Sequence, residues 1–215
     1  MRSYGQYCAL ARALDVVGER WTLLIIRELF SGDCRYSDLR DALPGIATNL
    51  LAERLRQLQA HGLVESYDAA RPVRATVYRL TDRGRELGPA LRGLVAFGSR
   101  LVAEQGQDAF RTHWLTLGLP ALFDGAAVAD LAPLTVWVDT GDQPAVLEVS
   151  ADGVSMRIAE ADAADVTVAG EPDAVFAMLT GTAHSEQPAG MQISGQGEAV
   201  DRLHRLAGRS RLAGH

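Results

Sequence analysis

Asn49, Glu53 and Arg56 are the residues whose types and spacing point most directly to chemistry. On a helical wheel of about 100° per residue, with Leu51 at zero, they fall between roughly 140° and 200°. Leu55 and Leu58 lie within about 40° of Leu51 on the same wheel. A helix over 48–60 therefore buries its leucines and presents an amide, a carboxylate and a guanidinium outward. Those groups match base edges in a DNA major groove, amide to adenine and guanidinium to guanine. The same stripe is also what a solvated helix face carries, so the surrounding elements must decide. Arg54, at about 300°, sits near the core margin and suits a structural ion pair or a phosphate contact.

Arg71 and Arg74 lie in the loop Asp68–Arg74, between two short segments, Leu63–Tyr67 and Thr76–Leu80. A hairpin tipped with guanidinium groups suits phosphate contacts, or simply protects a sheet edge. Cys8 and Cys34 are too few for a disulfide framework and lack metal-ligand spacing. The five histidines form no HxxxH or HExxH pattern. There is no GxSxG elbow, glycine-rich phosphate loop or pair of metal-binding carboxylates. No catalytic residue, metal or cofactor is expected.

The elements that must position the outward stripe follow from periodicity. Leu10, Leu14 and Val17 predict a first helix over Cys8–Val17, which Gly18 breaks. Trp21, Leu24, Ile25, Leu29 and Phe30 predict a second, ended by Ser31-Gly32-Asp33. A short third helix, capped by Ser37, runs to Leu43. The helix over 48–60, two strands and a long helix from Thr81-Asp82 to Glu104 follow, with Leu87, Leu91, Leu94, Val95 and Leu101 on its apolar stripe. Pro89 either kinks that helix or marks its true start. This order is that of a winged helix-turn-helix.

Charge divides the chain. Its 215 residues carry a net −6, are 47% hydrophobic and contain no lysine. Residues 1–112 hold 16 Arg against 13 acids, whereas residues 113–215 hold 5 Arg against 14 acids. An anionic polymer is therefore drawn to the first half and repelled by the second. No apolar run approaches the ~18 residues of a membrane span. Met1–Leu10 lacks a secretory signal pattern. A cytoplasmic protein without membrane partners is expected. The texture changes between about 105 and 130. This places a DNA-binding and dimerisation domain at 1–105, a linker with helical segments at 106–129 and a second domain at 130–210.

Several motifs in order carry a resemblance. Cys8-Ala-Leu-Ala-Arg-Ala-Leu-Asp15, Gly18-Glu-Arg-Trp21-Thr22, Arg35-Tyr36-Ser-Asp38-Leu39, Leu43-Pro44-Gly45-Ile46, Leu51-Ala-Glu-Arg54-Leu55, Gly62-Leu63-Val64 and Tyr78-Arg-Leu-Thr81 closely resemble the HxlR-type winged helix-turn-helix regulators over about residues 6–105. The resemblance implies a homodimer, joined by the first and last helices of this domain, on an inverted-repeat operator of double-stranded DNA. The expected DNA contacts are Arg35, Tyr36, Thr48, Asn49, Arg56, Arg71 and Arg74. Two departures stand out: Ala9 follows the cysteine where the family usually has Pro, and Ala47-Thr48 replaces the usual Ser at the recognition-helix entrance. Thr48 then takes over the cap, or the helix starts one residue later. Cys8 occupies the place of a redox-sensing thiol in many members, and equally suits a small residue at a dimer contact.

The second half alternates apolar and polar residues at Leu134–Val138, Ala145–Val149, Val154–Ile158 and Val166–Ala169, with turn signals between. The run from Asp165 to Gly181, followed by Met191-Gln-Ile193-Ser-Gly195, resembles the sterol carrier protein type 2 domain over about residues 130–208. Its segment Thr182–Pro188 is longer than usual. The resemblance implies an open sheet covered by helices around an apolar cavity. Trp114, Phe123, Trp137, Met156, Phe176, Met178, Leu179 and Met191 are the expected wall, with Arg157 available to a ligand carboxylate. The whole reads as an α+β protein, a winged helix-turn-helix followed by a sterol-carrier-like open sheet. Its expected role is a sequence-specific, ligand-responsive repressor with an apolar small-molecule effector. The alternative is a lipid-binding protein whose winged helix only dimerises.

Overall fold

The amphipathic segments of the first half form the elements their periods predict, with shifts at the ends, except the last, which divides. The computed structural model describes residues 3–69, 75–101, 110–160, 163–183 and 190–213, the side chain of Arg100 excepted. Two units emerge, Met1–Leu91 and Arg92–His215. In the first, α1 (Ala9–Val17) is followed by α2 (Thr22–Phe30), which the chain enters through Trp21 in the left-handed region at φ 77°. The two-residue strand β1 (Cys34–Arg35) leads into α3 (Tyr36–Ala42). Asp38, not the expected Ser37, satisfies the entrance of α3: its carboxylate accepts the Arg35 N–H at 2.9 Å.

Next come α4 (Thr48–Ala60), β2 (Val64–Asp68) and β3 (Thr76–Leu80). The strands form an antiparallel sheet in the order β1-β3-β2. Thr48 is the first helical residue of α4, and Ala47 holds the cap position without a side-chain bond. The expected transfer of capping to Thr48 therefore does not occur. Thr81 does cap α5 (Asp82–Arg85), its hydroxyl oxygen accepting the Gly84 N–H at 3.1 Å. The predicted long helix is divided. It breaks at Glu86-Leu87 and resumes as α6 (Gly88–Gly98), because Pro89 has no N–H to continue the ladder. A 3-10 turn, Ser99–Leu101, follows; the remainder of the predicted helix, 102–104, lies outside the described residues.

The core of this unit is built from Ile25, Ile26, Leu29, Leu39, Leu51 and Leu55, none more than 1% exposed. Each contributes about 2 kcal/mol through removal of apolar surface from water. Two predicted stripes are only partly buried, and Phe97, outside the predicted stripe, is exposed beside the second. Leu10 and Leu14 of α1 are 68% and 39% exposed, and Leu94, Phe97 and Leu101 are 52–73% exposed. Ala11 and Val17 carry the inward side of α1 and Leu91 that of α6.

In the second unit, a 3-10 turn (Thr112–Trp114), α7 (Leu115–Gly118), a further turn (Leu119–Leu122) and α8 (Gly125–Val128) precede the sheet. Five strands follow: β4 (Leu134–Asp139), β5 (Ala145–Ser150), β6 (Gly153–Ile158), β7 (Val166–Gly170) and β8 (Met191–Gly195). Between the last two strands lies α9 (Pro172–Thr180), and α10 (Gly197–Ala207) closes the unit. The strand order is β6-β5-β4-β7-β8, parallel only between β4 and β7. Leu134, Val136, Val138, Leu147, Val166 and Val168 share one buried cluster with Leu115, Leu119, Leu122, Val128, Val175 and Leu203 from the helices. Much of the stretch expected as a linker, 106–129, thus supplies core. The protein is α+β, a winged helix-turn-helix-like region followed by a helix-covered sheet.

Candidate nucleic-acid interface

The outward stripe stands where the wheel puts it. Leu51, Leu55 and Leu58 are 0–1% exposed, while Thr48, Asn49 and Arg56 are exposed. Asn49 and Arg56 are seven residues apart, two turns on one face, hence about 10 Å along the axis. That span matches roughly three steps of 3.4 Å along one DNA strand.

The first turn of α4 is fastened from α3. The Tyr36 hydroxyl donates to the Thr48 carbonyl at 2.6 Å, so this expected DNA contact has its hydroxyl committed to holding the helix entrance. Arg35 is held in place by strand pairing opposite Val77 and is exposed. Among the described residues its guanidinium has no carboxylate in salt-bridge range. Thr48 and Asn49 are exposed in the first turn of α4, where the Leu50 N–H donates to Asn49 Oδ1 at 3.0 Å.

Arg54 points the other way. Its side chain is 12% exposed, pairs with Glu19 at 2.8 Å and reaches the Arg20 carbonyl at 3.3 Å. This is a structural tie between α4 and the turn before α2. Arg56 pairs with Glu53 at 2.5 Å, the arginine side chain largely open and the glutamate half-buried.

On the hairpin, Arg79 pairs with Glu65 at 2.6 Å and lies over the Tyr67 ring at 5.0 Å. The Tyr67 hydroxyl donates to Asp33 at 2.8 Å, tying the hairpin to the turn after α2. Arg71 and Arg74 lie outside the described residues.

The two thiols differ sharply. Cys8 is exposed at the entrance of α1, where the N–H groups of Ala11 and Leu10 hold its pKa below the ordinary thiol value. Burial, with Glu28, Asp38 and Asp33 nearby, pushes Cys34 up to about 12. Iodoacetamide at pH 8 is expected to label Cys8 and spare Cys34, read by mass spectrometry of the tryptic peptides. Equal labelling of both would contradict this assignment.

In the second unit Phe123, Met156, Met178, Leu179 and Met191 share one buried cluster with Phe176 packed against it, but only two of them reach a cleft. Phe123 and Met156 line an open cleft of about 320 Å³ with Thr116, Pro120, Asp152 and Val154. Met178, Leu179 and Met191 are 1–4% exposed in the closed core, with Phe176 packed against them. Trp114 lies in the turn before α7, edge-on to His113 at 6.0 Å. Trp137 lies on the opposite face of the sheet. It pairs with Val146 and Thr167, whereas Met156 pairs with Leu147 and so shares the face of Val136. Its Nε1 is buried without an acceptor among the described residues. Arg157 is also on the far face, exposed and paired with Glu148 at 3.2 Å, so it does not serve a cavity. Strand alternation makes these separations unavoidable.

No group of three His, Cys, Asp or Glu suited to a metal occurs among the described residues. No single described helix is long and apolar enough to cross a membrane. Sequence reasoning missed the capping role of Asp38, although its place three residues after Arg35 was a readable signal. It also missed Glu28, 2% exposed and paired with Arg27 at 2.6 Å, which periodicity does not mark as buried.

Comparison with known proteins points to one family. The profile of the HxlR-like helix-turn-helix matches residues 16–106. An uncharacterized HTH-type transcriptional regulator of Synechocystis sp. is 40% identical over 97 residues, covering 44% of this chain and 70% of that protein. The HTH-type transcriptional regulator YodB of Bacillus subtilis is 30% identical over 88 residues, covering 41% of this chain and 79% of its own length. The solved reduced form of YodB is similar over 47% of this chain and 100% of its own, at 26% identity and a TM-score of 0.41.

Proposed function

Because this chain belongs to the HxlR-like helix-turn-helix family, we propose that it is a DNA-binding transcriptional regulator of the cytoplasm. It acts as a homodimeric repressor on an inverted-repeat operator. The observation that carries this reading is α4: leucines sealed on one side, Asn49 and Arg56 open on the other, and an amino terminus fastened by Tyr36. Inserted in a major groove, Asn49 reads adenine and Arg56 reads guanine. Arg35 and the first turn of α4 hold a phosphate, and the hairpin arginines Arg71 and Arg74 hold the flanking backbone.

Dimerisation through α1 and α6 explains why Leu10, Leu14, Leu94 and Phe97 are open to solvent in one chain. It spaces the two half-sites about one helical turn apart. The second unit, read as sterol-carrier-like, is the input for a small apolar effector, and the cleft at Phe123 and Met156 is its entrance.

Fluorescence anisotropy on the intergenic DNA flanking its own gene tests the proposal. Affinity should fall steeply with salt, and Arg71→Ala should make the slope shallower by about 1. Arg56→Ala should instead relax preference at one base pair by about 1–3 kcal/mol. Binding that is indifferent to salt, or absent, overturns the regulator reading and favours a lipid-binding protein.

A further inference from the structure

Arg56 is not left to wander. One oxygen of the Glu53 carboxylate, Oε2, holds the Arg56 guanidinium at 2.5 Å. The other, Oε1, accepts Nε2 of Gln57 at 2.7 Å. The Gln57 carbonyl in turn accepts from Arg54 at 2.8 Å, and Arg54 is anchored on Glu19 at 2.8 Å. The amide of Gln57 fits only this way round, because its oxygen must face a donor-only guanidinium and its nitrogen an acceptor-only carboxylate.

An exposed ion pair three residues apart on a helix is by itself too weak to fix a long side chain. Here the acid is gripped from behind by a chain ending on a half-buried arginine, and that changes its role. The guanidinium has five N–H donors and gives only part of one nitrogen's capacity to Glu53. Enough remains on the same plane to meet O6 and N7 of guanine. Holding the plane in advance removes ordering entropy from the binding step.

We propose that Glu53, steadied by Gln57 and Arg54, is the positioning residue that sets the base preference of Arg56. The proposal rests on the reading of Arg56 as a base contact. Glu53 itself touches no phosphate with profit, since it brings a negative charge toward the DNA. Its removal therefore has a signature that a merely structural residue lacks: discrimination falls while affinity for random duplex holds or rises.

The test is selection of the full-length chain on a pool of random-sequence duplexes, followed by sequencing. Wild type is compared with Arg56→Ala, Glu53→Ala, Gln57→Ala and Glu53→Gln, with circular dichroism melts verifying that each variant folds. The base pair whose preference Arg56→Ala erases should lose about tenfold in Glu53→Ala. It should lose less in Gln57→Ala, and least in Glu53→Gln, which keeps one acceptor oxygen. All other positions should hold. If Arg56→Ala erases a preference that Glu53→Ala leaves intact, the positioning role is refuted and the base contact stands. If Arg56→Ala erases none, the base contact fails and takes the positioning role with it.

Discussion

Placing aspartates at Leu10 and Phe97 together is expected to convert the proposed homodimer to a 23.1 kDa monomer and to reduce its affinity for the proposed operator by about 10²–10⁴. Both side chains are already open to water in the single chain, at 68% and 73% exposure, so the change costs the isolated fold little. In a two-fold interface each substitution appears twice. Four carboxylates would then lose water at the proposed apolar joint, which is costly for a charge without a partner. Affinity falls because each recognition helix must find its half-site alone, without the high effective concentration its tethered twin provides. Sedimentation equilibrium reads the mass and anisotropy the affinity. A variant that remains dimeric rules out α1 and α6 as the joint, whatever becomes of the DNA contacts.

Gly84→Ala should produce the largest loss of stability. At this position α5 is pressed onto the hairpin: Thr81 donates its N–H to the Leu63 carbonyl at 3.1 Å and its hydroxyl to that of Gly62 at 2.6 Å. A Cβ on Gly84 would lie 2.1 Å from the Leu63 oxygen and 3.1 Å from Cδ2 of Leu80. The first obstacle is backbone within a turn, which cannot swing aside as a side chain does. The expected cost is about 3 kcal/mol or more, at the upper end of overpacking effects. At about 4–8 °C per kcal/mol for a domain of this size, the melting temperature should drop by roughly 12 °C or more. Gly93→Ala serves as the control. A Cβ there meets nothing within 4 Å, and replacing a helical glycine should stabilise by about 0.5–1 kcal/mol. Equal melting temperatures for the two variants would show that α5 does not seat against the hairpin as described.

How much was legible in the residues themselves varies by element. The helix order, the sealed face of α4 and the inward lean of Arg54 all follow from a 3.6-residue period acting over a dozen positions. The strands of the hairpin and of the second unit follow from alternation in the same way, within a residue or two, whereas the two-residue β1 is too short to leave such a pattern. These features depend on neighbours close in the chain, and a linear reading has access to all of them. The stripes on α1 and α6 show the limit. An amphipathic pattern records that Leu10 or Leu94 seeks an apolar partner, but not whether that partner belongs to the same molecule.

Trp137 and Met156 show a second limit. Each strand's parity could be read, yet only the pairing of β4 with β5 and β5 with β6 assigns the two parities to opposite faces. The chain from Glu19 through Arg54 to Arg56 is a third case, because its first link joins residues 35 apart. Order, period and outward chemistry were determined locally by the sequence. Which faces meet, which hydroxyl is already engaged and which guanidinium is held still were decided by tertiary packing, because contacts between distant residues leave no periodic trace along the chain.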